Sequence, residues 1–150
     1  VTITKSTLAA GEDYATLADI LAADDMPADT ITVWGWKISG GPLKLRVHGL
    51  SLAQREEARA NAWKADGTRD VVELMAWYFH FGIAAPHMTI DQARQLVQKH
   101  AGTVEQIGDY ISALTEMNYA AVAAIADELA RDDTARDDAA RPARSRRKAA

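Results

Sequence analysis

Apolar and polar positions alternate with two different periods along this chain. From Glu12 to Ala23 the apolar residues Tyr14, Leu17, Ile20 and Leu21 recur at helical spacing, with Glu12, Asp13 and Asp19 on other faces. Asp24-Asp25 then places negative charge where the helix dipole is already negative, and Pro27 blocks continuation, so this helix ends near Asp24. From Thr30 the period drops to two. Ile31, Val33, Gly35 and Lys37 fall on one face, and Thr32, Trp34, Trp36 and Ile38 on the other. Leu43, Leu45 and Val47 alternate again with Lys44, Arg46 and His48, after the turn signal Ser39-Gly40-Gly41-Pro42. These two runs predict a β-hairpin, which needs a second layer to be stable.

Beyond Leu50 the helical period returns. Four pairs read as capping boxes, in which the cap side chain and the residue three further on bond each other's backbone N–H. They are Ser51 with Gln54, Asp70 with Glu73, Thr89 with Gln92, and Thr103 with Gln106. The first of these helices runs from Leu52 to about Ala65 and ends at Gly67, with a narrow stripe through Leu52 and Trp63. The second, Val71 to about Phe81, is apolar nearly all round and is expected at the centre of the core. Its aromatics Trp77, Tyr78, Phe79 and Phe81 read as core, and His80 as a core or boundary histidine. Gly82 to His87 reads as a loop containing Pro86. A third helix, Ile90 to His100, turns Ile90, Ala93, Leu96 and Val97 inward. A fourth, Val104 to about Met117, turns in Val104, Ile107, Ile111 and Leu114, and Tyr119 to Ala130 continues the pattern past a break near Asn118.

The fold class this predicts is α+β, mostly α: an N-terminal helix and one β-hairpin packed on a bundle of about four to five helices. Residues 1–130 form one domain, with 1–11 loosely ordered. After Leu129 no bulky apolar residue remains, so 131–150 are expected to be a disordered charged tail.

Composition sharpens this only in places. The chain has 150 residues and no Cys, which excludes disulfides and thiolate metal sites. The start, VTITKSTLAAGEDY, lacks an apolar core with a basic flank, and Val71 to Ala85 is interrupted by Glu73 and His80 and too short to span a bilayer. A cytoplasmic location is expected, without membrane contact. The net charge of -4 is uneven. Seven basic and four acidic residues from Arg131 onward give the tail +3, which leaves the body at -7. An acidic body argues against nucleic-acid binding there.

No catalytic constellation stands out. His48, His80, His87 and His100 lack metal-ligand spacing, and no phosphate loop, dinucleotide fingerprint or nucleophile elbow occurs. No enzyme activity, metal or cofactor is expected. The candidate client-binding residues are Trp34, Trp36 and Trp63, because exposed tryptophans suit a binder of apolar helices. They also suit a core.

The segment Ile20 to Pro27 (ILAADDMP), the strand around Trp34 and Trp36, the strand LKLRVHGL and the helix start SLAQREEA together resemble the phage tail assembly chaperone family of siphophages. The later order also fits, with Val71 to Gly82 as an apolar helix before a Pro-containing loop, then helix starts at Met88-Thr89-Ile90-Asp91 and Gly102-Thr103-Val104. The resemblance covers roughly residues 14–117. It departs from the family pattern in the hairpin, which lacks a Pro before the Trp and turns later. The resemblance implies a non-enzymatic chaperone that binds the tape measure protein and keeps it soluble. It implies recruitment of the tail tube protein through a longer frameshifted form, a possible homo-oligomer, and absence from the mature virion. The alternative is a small phage nucleic-acid-associated regulatory or packaging protein acting through its basic tail.

Overall fold

The computed structural model describes residues 4–38, 41–116, 123–128 and 131. The expected tail therefore lies outside the described residues, except Arg131, as do Ser39 and Gly40 of the turn and the break near Asn118. The architecture is α+β and mostly α. In chain order it runs α1 (Leu17–Ala22), β1 (Ala28–Ile38), β2 (Gly41–His48), α2 (Leu52–Asn61), α3 (Val71–Gly82), β3 (Ile83–Ala85), α4 (Ile90–Leu96) and α5 (Ala101–Thr115). A further helical segment covers 123–128.

The hairpin forms where the alternation placed it. β1 pairs antiparallel with β2, from Ala28 opposite His48 to Val33 opposite Leu43. Ile31, Val33, Leu45 and Val47 turn one face into the core. The expected loop at Gly82 to His87 is corrected by β3, which pairs antiparallel with β2 through Arg46–Ala85 and Val47–Ile83. Three residues are too few to show a period of two. Their strand geometry comes from β2, whose second edge would otherwise be unpaired.

Helices α3 and α5 close the core over that face. Phe79, Ile83, Ile107, Ile111, Leu114 and Val47 are its largest fully buried side chains. Ile125 packs against the same cluster from the 123–128 segment. Small residues set the closest approaches. A Cβ on Gly49 would stand 3.0 Å from the backbone of Leu114 and Thr115. Ala58 of α2 and the C-cap residue Ala62 are buried, as is Ala76 of α3, so the buried side of α2 is alanine rather than Leu52 and Trp63. Those two are 68% and 56% exposed.

Capping explains most helix starts. Ser51 with Gln54 and Thr89 with Gln92 form full reciprocal boxes. Asp70 accepts from the Glu73 N–H, but the Glu73 carboxylate is engaged with Arg94 instead. Thr103 lies inside α5, which begins one turn earlier at Ala101. Ala101 favours helix, and the earlier start keeps Val104, Ile107, Ile111 and Leu114 on one face. Helix α2 ends at Asn61, before the expected Ala65, because Trp63 and Arg69 form an antiparallel bridge closed by a turn with Gly67 at φ +80°.

The N-terminal helix differs most. It spans six residues, not the expected Glu12 to Ala23, because Thr16 and Asp19 form a reciprocal box that fixes its start. None of its residues is buried. Among the described residues no helix is long and apolar enough to cross a membrane.

Candidate functional site

The regular alternation of β1 fails at its two tryptophans. Val33 pairs with Leu43 and Lys37 with Pro42, so Trp34, Gly35 and Trp36 stand between two pairs whose β2 partners are adjacent. Such a bulge re-aims side chains and twists the strand. Trp36 packs against the core cluster, while Trp34 is half-buried in the bulge.

Beside the bulge lies a mostly apolar groove of about 420 Å³. Gly35, Trp36, Leu43 and Leu45 form its hairpin wall, Pro86 and Met88 its loop wall, and Leu96 at the end of α4 with Lys99 in the turn after it the third wall. The Ala85–Pro86 peptide bond is cis. Lys99 is the charged residue among these and is exposed.

Two polar linkages fix the walls. His80 Nδ1 lies 2.8 Å from the Met88 carbonyl oxygen. A carbonyl can only accept, so Nδ1 carries the proton and donates. The His80 ring also meets Trp77 edge-on at 5.7 Å, Phe81 at 4.9 Å and His87 at 5.8 Å. Helix α4 is held to α3 by Arg94. Its Nη2 donates to Glu73 Oε1 at 2.6 Å, its Nε reaches both Glu73 oxygens, and its Nη1 donates to Asp91 Oδ1 at 2.9 Å. Trp77 Nε1 donates to the same Glu73 oxygen. The guanidinium therefore holds the Glu73 carboxyl below the usual carboxylate range. On the far side, the buried Tyr110 of α5 donates its hydroxyl proton to Asp29 Oδ2 of β1 at 2.7 Å.

The three tryptophans named from the sequence thus separate. Trp36 lines the groove, whereas Trp34 and Trp63 are not among its lining residues. Trp63 sits at the end of α2 with the Arg69 guanidinium 5.4 Å above its ring, a local cation–π contact. Leu43, Leu45, Pro86, Met88, Leu96 and Lys99 carry no client-binding signal in the sequence; most read there only as strand, loop or helix positions. One usable signal was Met88, directly before the cap Thr89, where an apolar residue packs back on the first helical turn. Among the described residues no three His, Asp or Glu side chains come together to hold a metal ion.

Glu73, Trp77, His80 and Arg94, which hold the walls together, already have protein partners. What its walls offer is apolar surface with one cation at the rim, suited to apolar side chains presented by a helix or strand. In comparisons with protein-family models, curated proteins and solved structures, nothing matches the chain. Fold and groove define an α+β, mostly helical protein with an apolar cleft.

Proposed function

We propose that this chain is a non-enzymatic binding protein that acts as a phage tail assembly chaperone. It holds apolar helical segments of the tape measure protein and keeps that client soluble during tail morphogenesis. The observation that carries the reading is the apolar groove beside the Trp34–Trp36 bulge, walled by Trp36, Leu43, Leu45, Met88 and Leu96. A long amphipathic client helix presents apolar residues at i, i+3, i+4 and i+7, and a groove of this kind is what such a row enters. The resemblance of Ile20 to Pro27 and of the strand-to-helix junction at Leu43 to Glu57 supplies the tape measure protein as client. It also supplies the host cytoplasm as the place of action, absence from the finished virion, and recruitment of the tail tube protein by a longer frameshifted form.

The test is co-expression with the tape measure protein encoded nearby. A soluble complex that co-elutes with this chain is expected. Unchanged client solubility with no complex would remove the reading. The nucleic-acid alternative rests on residues 131–150, of which all but Arg131 lie outside the described residues, and no observation of the fold favours it.

A further inference from the structure

We infer that the groove of one copy receives the N-terminal arm of a second copy, residues 14–21, so that the chain pairs with itself until a client displaces the arm. The arm is an apolar helix without a seat. Thr16 and Asp19 satisfy each other's backbone N–H groups, so the local sequence sets the helix start. Six residues nevertheless fall short of the roughly 12–15 that an isolated helix needs. Leu17, Ile20 and Leu21 lie on one face at i, i+3 and i+4, and they are 71%, 61% and 77% exposed. Tyr14, three residues before Leu17, is 83% exposed. A contiguous apolar stripe of this kind marks a contact surface.

The groove fits that stripe in size and in charge. An apolar cavity of about 150 Å³ takes one benzene-sized group, so a groove of about 420 Å³ has room for two or three such side chains. Between residues 4 and 25 the arm carries Glu12, Asp13, Asp19, Asp24 and Asp25 against Lys5 alone. The cation at the groove rim is Lys99. An acidic amphipathic segment would therefore meet the single cation of the rim, Lys99, with its apolar row toward the cleft.

Attachment favours a second copy over the arm's own groove. The arm joins the hairpin at its base, where Ala28 pairs with His48 and the Pro27 carbonyl accepts from the Gly49 N–H. The groove lies toward the other end of β1, at Gly35 and Trp36. Within one copy the stripe stays exposed. The arm would act as a placeholder for client helices. The inference rests on the proposed function only for that displacement, and its test needs no client.

The chain has no cysteine, so introduced pairs report contacts directly. Ala18 and Ala22 flank the stripe. Ala18→Cys or Ala22→Cys, each combined with Lys99→Cys, should give a disulfide-linked dimer on oxidation with at least one pair, while each single variant gives much less. Sedimentation should show a concentration-dependent dimer for the unmodified chain. Leu17→Asp with Leu21→Asp should weaken that dimer roughly tenfold or more for each leucine, and at concentrations where the chain is monomeric the thermal transition should be unchanged, because α1 buries nothing in the body of its own copy. A chain that stays monomeric at all concentrations overturns the inference. So does a dimer indifferent to the arm substitutions, or a disulfide formed only within one chain, which would make the arm a lid on its own groove. Loss of client binding in co-expression would bear on the proposed function and leave this result standing.

Discussion

Removing one oxygen, by Tyr110→Phe, should loosen the tie between the hairpin and α5. Tyr110 is 5% exposed, and its hydroxyl donates to Asp29 Oδ2 at 2.7 Å across the α5–β1 interface. The phenyl ring of the variant fills the same space, so no cavity is made. What is lost is a hydrogen bond to a charged acceptor, worth ~1.5–3 kcal/mol. Asp29 is half-buried rather than sealed, so water recovers part of this and the expected loss is about 1–2 kcal/mol. Urea unfolding at pH 7 measures it, and a cycle with Asp29→Asn and the double variant isolates the pairwise part. The pH dependence has a definite sign. Burial, then the bond to Asp29 and its charge, push the Tyr110 phenol above its ordinary value. A raised folded value means this contribution is fully present below the unfolded pKa of about 10 and is lost as pH rises through the folded one. The chain should therefore lose stability in strong alkali, and Tyr110→Phe should lose less. A variant within about 0.3 kcal/mol of the parent, with a coupling near zero, would refute the claim that this bond ties hairpin to helix.

Other consequences follow from the same contacts. Arg94→Gln should lower stability only slightly at pH 7, since Arg94 is 45% exposed and solvent screens the pair. Glu73 has its pKa lowered, so the pair's contribution is present above the ordinary carboxylate value and fades as pH falls through the folded one. Acid titration by circular dichroism should show a smaller acid-side loss in Arg94→Gln than in the parent. Gly49→Ala should destabilise by about 1–3 kcal/mol, because its Cβ would press on the Leu114–Thr115 backbone rather than on a movable side chain. Thermal unfolding reads this as a lower midpoint. Trp36→Ala should weaken client binding by about thirtyfold, the loss of one hot-spot aromatic. Trp63→Ala should leave it unchanged, and calorimetric titration with a tape measure fragment compares the two.

Much of the scaffold was legible because its signals are local. Ser51 with Gln54 and Thr89 with Gln92 announce helix starts with residues three apart, and both boxes form. The hairpin strands followed from a period of two. What failed depends on contacts far along the chain. Ile83 to Ala85 becomes a strand only because β2 offers an edge to it. The bulge was hidden because Trp34, Gly35 and Trp36 continue the alternation in sequence while the partner strand skips them. The groove joins Leu43, Met88 and Leu96 from three separate elements, so no window of sequence contains it. Helix α1 shows the opposite failure. Its periodicity is amphipathic, but periodicity does not say which surface the stripe covers, and within this fold it covers none.

The central claim is that the cleft beside the β1 bulge is where a client helix sits. Hydrogen–deuterium exchange of this chain, free and bound to a tape measure fragment, tests it most directly. The account predicts slowed exchange at Gly35 and Trp36, at residues 87 and 88, and along α4 up to Lys99, with α2 and the Trp63–Arg69 bridge unchanged. Protection confined to α2 and Trp63, or none in a complex shown to form, would contradict it.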